Sequence, residues 1–69
     1  MGNGKHAVFS LPEMQAAIEK LPERIHETLV LRLQEELSYE EIAQVLQIPI
    51  GTVRSRLHTA MRMLRNDLT

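Results

Sequence analysis

Arg54, Ser55, His58, Arg62 and Arg65 recur along the last third of the 69-residue chain at spacings of one, three and four residues. On a helix turning about 100° per residue, those spacings bring the five side chains to one side, together with Gly51 and Thr59. Val53, Leu57, Ala60, Met61, Leu64 and Leu68 gather on the other side, over roughly 100° of arc. Guanidinium forks, hydroxyls and an imidazole in this pattern supply hydrogen-bond donors to anions and to flat edges carrying paired acceptors. A phosphate is one such target, and the major-groove edge of guanine is another, while small residues permit close approach. Arg54, Ser55 and His58 lie nearest the helix start and are assigned direct contact with bases. Arg62 and Arg65 lie further along and are assigned to phosphates, with Thr52 of the first turn grouped beside them. Arg56 falls on the flank of the apolar face, where the expected role is structural, through a pair with Glu40 or Glu41.

Catalytic chemistry finds no comparable pattern. His6, His26 and His58 sit in separate segments, without metal-ligand spacing and without a cysteine anywhere in the chain. The string Gly2-Asn3-Gly4-Lys5 has the look of a phosphate-loop tail. It lacks both the preceding strand and the Ser or Thr that should follow the lysine. At this length a chain buries too little surface to enclose a deep substrate cavity beside a stable core. The reading is therefore a binding module and not an enzyme, with no cofactor and no metal. No apolar run reaches membrane-spanning or signal-peptide length, so a cytoplasmic setting and no membrane partner are expected.

The net charge of −1 seems at odds with an anionic partner, but the average conceals a division. Residues 1–48 carry four basic residues against eight glutamates, a balance of −4, whereas residues 49–69 carry four arginines against Asp67, a balance of +3. Such asymmetry is what a chain shows when one end faces an anion, although a solvated helix face has the same appearance.

The elements that must hold this face are all helical, since no segment alternates with period two and β-branched or aromatic runs are missing. Residues 1–9 read as a linker or expression remnant, and 10–69 as one domain. Ser10 and Glu13 have capping-box spacing, followed by Leu11, Met14, Ile18 and Leu21, which predicts a first helix to about Lys20. Pro22 opens a second, running to about Glu36, with Ile25, Leu29, Leu33 and Leu37 as its stripe and Val30 beside it. Leu31 falls opposite that stripe. It has no evident core position, and is either a singly exposed leucine or a contact with a partner protein.

Ser38 and Glu41 repeat the capping box ahead of a third helix, Ser38 to Leu46, with Tyr39, Ile42, Ala43 and Leu46 on its inner face. Pro49 ends that helix by restricting Ile48, and can open the fourth, which runs to about Leu68. The result is an all-α, four-helix domain with a C-terminal helix-turn-helix. In that arrangement the amides of Ser38 to Glu40 and the Tyr39 hydroxyl are placed to meet a phosphate. Capping by Ser38 and core-edge packing by Tyr39 would equally explain both residues.

From Leu21 onward the chain closely resembles region 4 of bacterial RNA polymerase sigma factors, particularly the extracytoplasmic-function class. The telling strings are LPER at 21–24, LSYEEIA at 37–43 and IPIGTVRSRLH at 48–58. The resemblance implies the winged-helix-like, sigma region 4 class of fold. It also implies recognition of the −35 element of double-stranded promoter DNA, docking on the flap of the RNA polymerase core, and a role in transcription initiation. In the family, the positions of Arg54, Ser55 and His58 lie on the base-reading side of the recognition helix. The family often has arginine in place of Thr59 and a basic residue in place of Met61, which implies weaker DNA binding here. It commonly has glycine at Glu36 and Gln47, where chain reversal favours left-handed backbone.

Two other readings fit some of these residues. A sigma-like protein-interaction module that occupies an anti-sigma factor without touching DNA would suit the acidic first half. A response-regulator output domain uses a similar helix pair, but makes the LPER and SYEEIA strings coincidence.

Overall fold

The computed structural model describes residues 11–68, with side chains from 12 to 67. The linker at residues 1–9, the Ser10 cap and the Leu68 side chain lie outside that range. Four helices follow one another: α1 (Leu11–Glu19), α2 (Glu23–Leu33), α3 (Tyr39–Leu46) and α4 (Ile50–Leu68). The last is the longest, and the other three all pack against it, α2 also meeting α3. There is no strand among the described residues.

Pro22 and Pro49 each act one position earlier than expected. Pro22 is the N-cap of α2, with its carbonyl accepting from His26 N–H at 2.8 Å. Pro49 plays the same part for α4, accepting from Thr52 at 2.9 Å and Val53 at 3.3 Å. At a cap the missing proline amide hydrogen costs nothing, and the preceding residue is kept extended. The capping box of α3 forms in full: Glu41 N–H donates to Ser38 Oγ at 3.1 Å, and Ser38 N–H donates to Glu41 Oε1 at 2.7 Å.

Between α3 and α4 the chain reverses through Gln47, at φ 59° and ψ 46°. Gln47 N–H returns to Gln44 O and Ile48 N–H to Ala43 O, the paired bonds of a Schellman motif built on a non-glycine residue. Glu36, at φ 56°, makes the corresponding reversal before α3.

That reversal shortens α2. Where helical spacing predicts a helix to Glu36, the helix ends at Leu33, because Leu37 must turn back to the core and its amide is taken by Leu31 O at 3.2 Å. The apolar stripe is corrected with it. Leu33 is 58% exposed, whereas Leu31, expected to have no core position, is half-buried and packs against the core. The buried centre of α2 is Thr28 with Leu29. Thr28 is fully buried and satisfies its hydroxyl by donating to Arg24 O at 2.8 Å, one turn back.

The core joins Ala17, Leu21, Leu29, Ile42, Val53, Leu57, Ala60 and Leu64, from all four helices and the turn before α2. On α4 one assignment changes: Met61 is 56% exposed, and Met63 takes its place against the core. Alpha1 packs over the Met63 side of α4, where Ala17, Leu21 and Met63 share a groove, so the apolar face extends that way and leaves Met61 outside.

Candidate nucleic-acid interface

Apolar packing alone fixes the orientation of α4. Val53 and Ala60 are fully buried, Leu57 and Leu64 nearly so, which locks the helix's rotation about its own axis. Arg54, Ser55, His58, Arg62 and Arg65 are consequently exposed, and Thr52 is half-buried in the first turn. No carboxylate among the described residues comes within ion-pair distance of these arginines. The ion pair found among those residues joins Lys20 to Asp67 at 3.9 Å, near the C-terminal end of α4. Arg56 is half-buried but makes neither of the pairs expected of it. Glu41 is held in the capping box instead.

The start of α3 meets this face. Tyr39, Arg54, Leu57, His58, Met61 and Arg65 line one shallow groove, floored by Leu57 and bearing two guanidiniums, an imidazole and a phenol without any acidic group. Tyr39, Arg54, His58 and Arg65 are separate candidates in the sequence, and the fold brings those four together. Ser55, Arg62 and Thr52 do not line the groove. Ser38 lies at the head of α3 with its amide hydrogen already committed to Glu41, which removes one of the donors expected to reach outward. Its hydroxyl accepts from Glu41 N–H and keeps its own hydrogen.

One contributor went unnamed in the sequence. Arg32, near the end of α2, donates from Nη1 to Leu37 O at 3.0 Å, and its guanidinium carbon lies 5.6 Å from the centroid of the Tyr39 ring. No local signal marks such a contact, because it depends on the reversal at Glu36.

Gly51 occupies the first turn of α4, exposed and without positive φ, and a Cβ there would meet nothing within 4 Å. The fold itself therefore does not require glycine at this position.

No three His, Cys, Asp or Glu side chains gather among the described residues in a way that could hold a metal ion. No described helix is long and apolar enough to cross a membrane.

Residues 11–64 match the family described as Sigma-70, region 4. The chain belongs to that family. Its region 4 domain is 45% identical over 51 residues to the ECF RNA polymerase sigma-E factor of Haemophilus influenzae, covering 74% of this chain and 27% of that protein. To the ECF RNA polymerase sigma factor SigW of Bacillus subtilis it is 42% identical over 55 residues, 80% of this chain and 29% of the other. Against the RNA polymerase sigma-H factor of Pseudomonas aeruginosa the identity is 56% over 51 residues, 74% of this chain and 26% of the relative. The region 4 domain thus spans between about a quarter and three tenths of the length of these relatives. The extracytoplasmic-function resemblance seen in the LPER, LSYEEIA and IPIGTVRSRLH strings agrees with these matches.

Proposed function

We propose that this domain binds double-stranded promoter DNA at the −35 element, as part of a sigma factor that directs transcription initiation by RNA polymerase. The observation that carries the reading is the acid-free groove of Tyr39, Arg54, His58 and Arg65, set on a helix whose rotation is fixed by its buried face. Alpha4 enters the major groove by its first turns. There Arg54, Ser55 and His58 meet base edges, while Thr52, Arg62 and Arg65 meet phosphates. At the head of α3, the Ser38 hydroxyl and Tyr39 face the neighbouring backbone. The polymerase core is a further partner in this proposal. Leu31 is a contact for it only through the part of its surface left exposed, in a shallow depression shared with Glu23, His26, Glu27 and Val30.

Titration of a labelled promoter duplex and a scrambled one of equal length, at several salt concentrations, tests this. Selective binding whose logarithm falls linearly with log salt is expected, with a slope of about −0.9 per phosphate neutralised. Equal, weak binding to both duplexes at low salt would instead favour a sigma-like module that engages an anti-sigma protein.

A further inference from the structure

We propose that Arg32 is a positioning residue for DNA binding: it never touches DNA, but sets the place of Tyr39 at the groove. The inference rests on the DNA-binding reading above. One guanidinium makes two contacts, both on the segment that begins α3. It donates to the carbonyl of Leu37, immediately before the Ser38 cap, and its cationic carbon stands over the Tyr39 ring just after that cap, 5.6 Å from the centroid. These contacts bridge the reversal in which Glu36 holds a left-handed backbone that favours glycine, and they add a side-chain tie to the backbone bond from Leu37 N–H to Leu31 O. Tyr39 then extends to the groove lined by Arg54, His58 and Arg65. Arg32 thereby couples the end of α2 to the surface that α3 and α4 present jointly. A guanidinium suits both contacts, because one of its nitrogens donates to Leu37 O while its delocalised charge stands over the ring, whereas a lysine would have to make both from a single ammonium nitrogen.

Tyr39 is the sole tyrosine of a chain that has no tryptophan, so intrinsic tyrosine emission and the tyrosine band of the near-UV circular dichroism, at longer wavelength than the absorption of Phe9, report on that ring. In the 69-residue chain, Arg32→Ala and Arg32→Lys should both shift the near-UV tyrosine signal towards that of a mobile ring. Far-UV spectra should keep their helical form. Affinity for the promoter duplex should fall roughly three- to tenfold, with the salt slope unchanged, because no phosphate contact is lost. Combined with Tyr39→Ala, Arg32→Ala should cost almost nothing further, as residues acting through one another are not additive. A salt slope reduced by about 0.9 would overturn the proposal by making Arg32 a phosphate contact itself. Additive losses in the double variant, or an unchanged tyrosine signal, would overturn it too. If Arg32→Ala proves too unstable to measure, Arg32→Met, which removes the charge and the donor but keeps the apolar stem, carries the same tests. If the unaltered chain shows no selective DNA binding, the functional reading fails by itself, and the tyrosine spectra still decide whether Arg32 holds the ring.

Discussion

Val53 and Arg54 are neighbours in sequence and opposites in circumstance. One is wholly buried beneath α4, and the other stands in an acid-free groove on its outer side. The inner face is specified by packing, so its residues answer to the other helices. The outer face finds no ion-pair partner among the described residues, so on the proposed reading its residues answer to a ligand. If this division is real, substitutions on the two faces should damage different properties.

The largest effect is expected inside. Val53→Asp would bury an unpaired carboxylate at a fully enclosed site, a loss of about 4 kcal/mol or more. That is comparable with the whole stability of a domain this small, on the order of 3–9 kcal/mol. Thermal melts followed by circular dichroism should show a chain largely unfolded at room temperature, with DNA binding lost in the same proportion. Binding lost from a chain that melts normally would place Val53 at the interface and break the comparison.

One residue along, Arg54→Ala should leave the melt within about 0.5 kcal/mol of the unaltered chain, as exposed substitutions generally do. Its effect should appear on the promoter duplex, with a loss of about 1–3 kcal/mol in binding, and much less on a scrambled duplex. Equal losses on both duplexes would reassign Arg54 from bases to phosphates.

Met61 sharpens the same contrast. It is apolar yet more than half exposed, set among Arg54, His58 and Arg65 at a position where the family often carries a basic residue. Met61→Arg should steepen the salt slope by about 0.9 and tighten binding to every duplex at low salt, with no change in selectivity. A substitution that destabilised the fold instead would show that Met61 packs inward as helical spacing alone suggests.

Legibility in the sequence follows the range of the interaction. The Ser38–Glu41 capping box was readable because both partners lie within one turn. Val53, Leu57, Ala60 and Leu64 were readable because a helix's period selects its buried centre. The edges of that face were not. Periodicity cannot say that α1 covers the Met63 side and leaves Met61 outside, nor that α2 docks with Leu31 against the core and Leu33 exposed. Arg32 and Arg56 were misjudged or missed for the same reason, since a long side chain chooses its partner only after the helices have docked. The groove residues could be named one by one, but the meeting of Tyr39 with Arg54, His58 and Arg65 depends on two reversals made without glycine.

Those reversals set the smallest effect. Gln47 holds φ 59° at the α3–α4 turn, where a side chain is strained by about 1–2 kcal/mol against its neighbouring carbonyl. Part of that is returned by its amide group, which donates from Nε2 to Gln44 O at 3.0 Å, and glycine would add unfolded-state entropy. Gln47→Gly should therefore raise stability by only about 0.5 kcal/mol, read as a small increase in the melting midpoint. Because Gln47 is exposed and lies outside the groove, affinity and selectivity for DNA should stay as they are. If selectivity changed while the midpoint did not, the turn would be setting the angle between α3 and α4, and the outer face would answer to backbone strain as well as to its ligand.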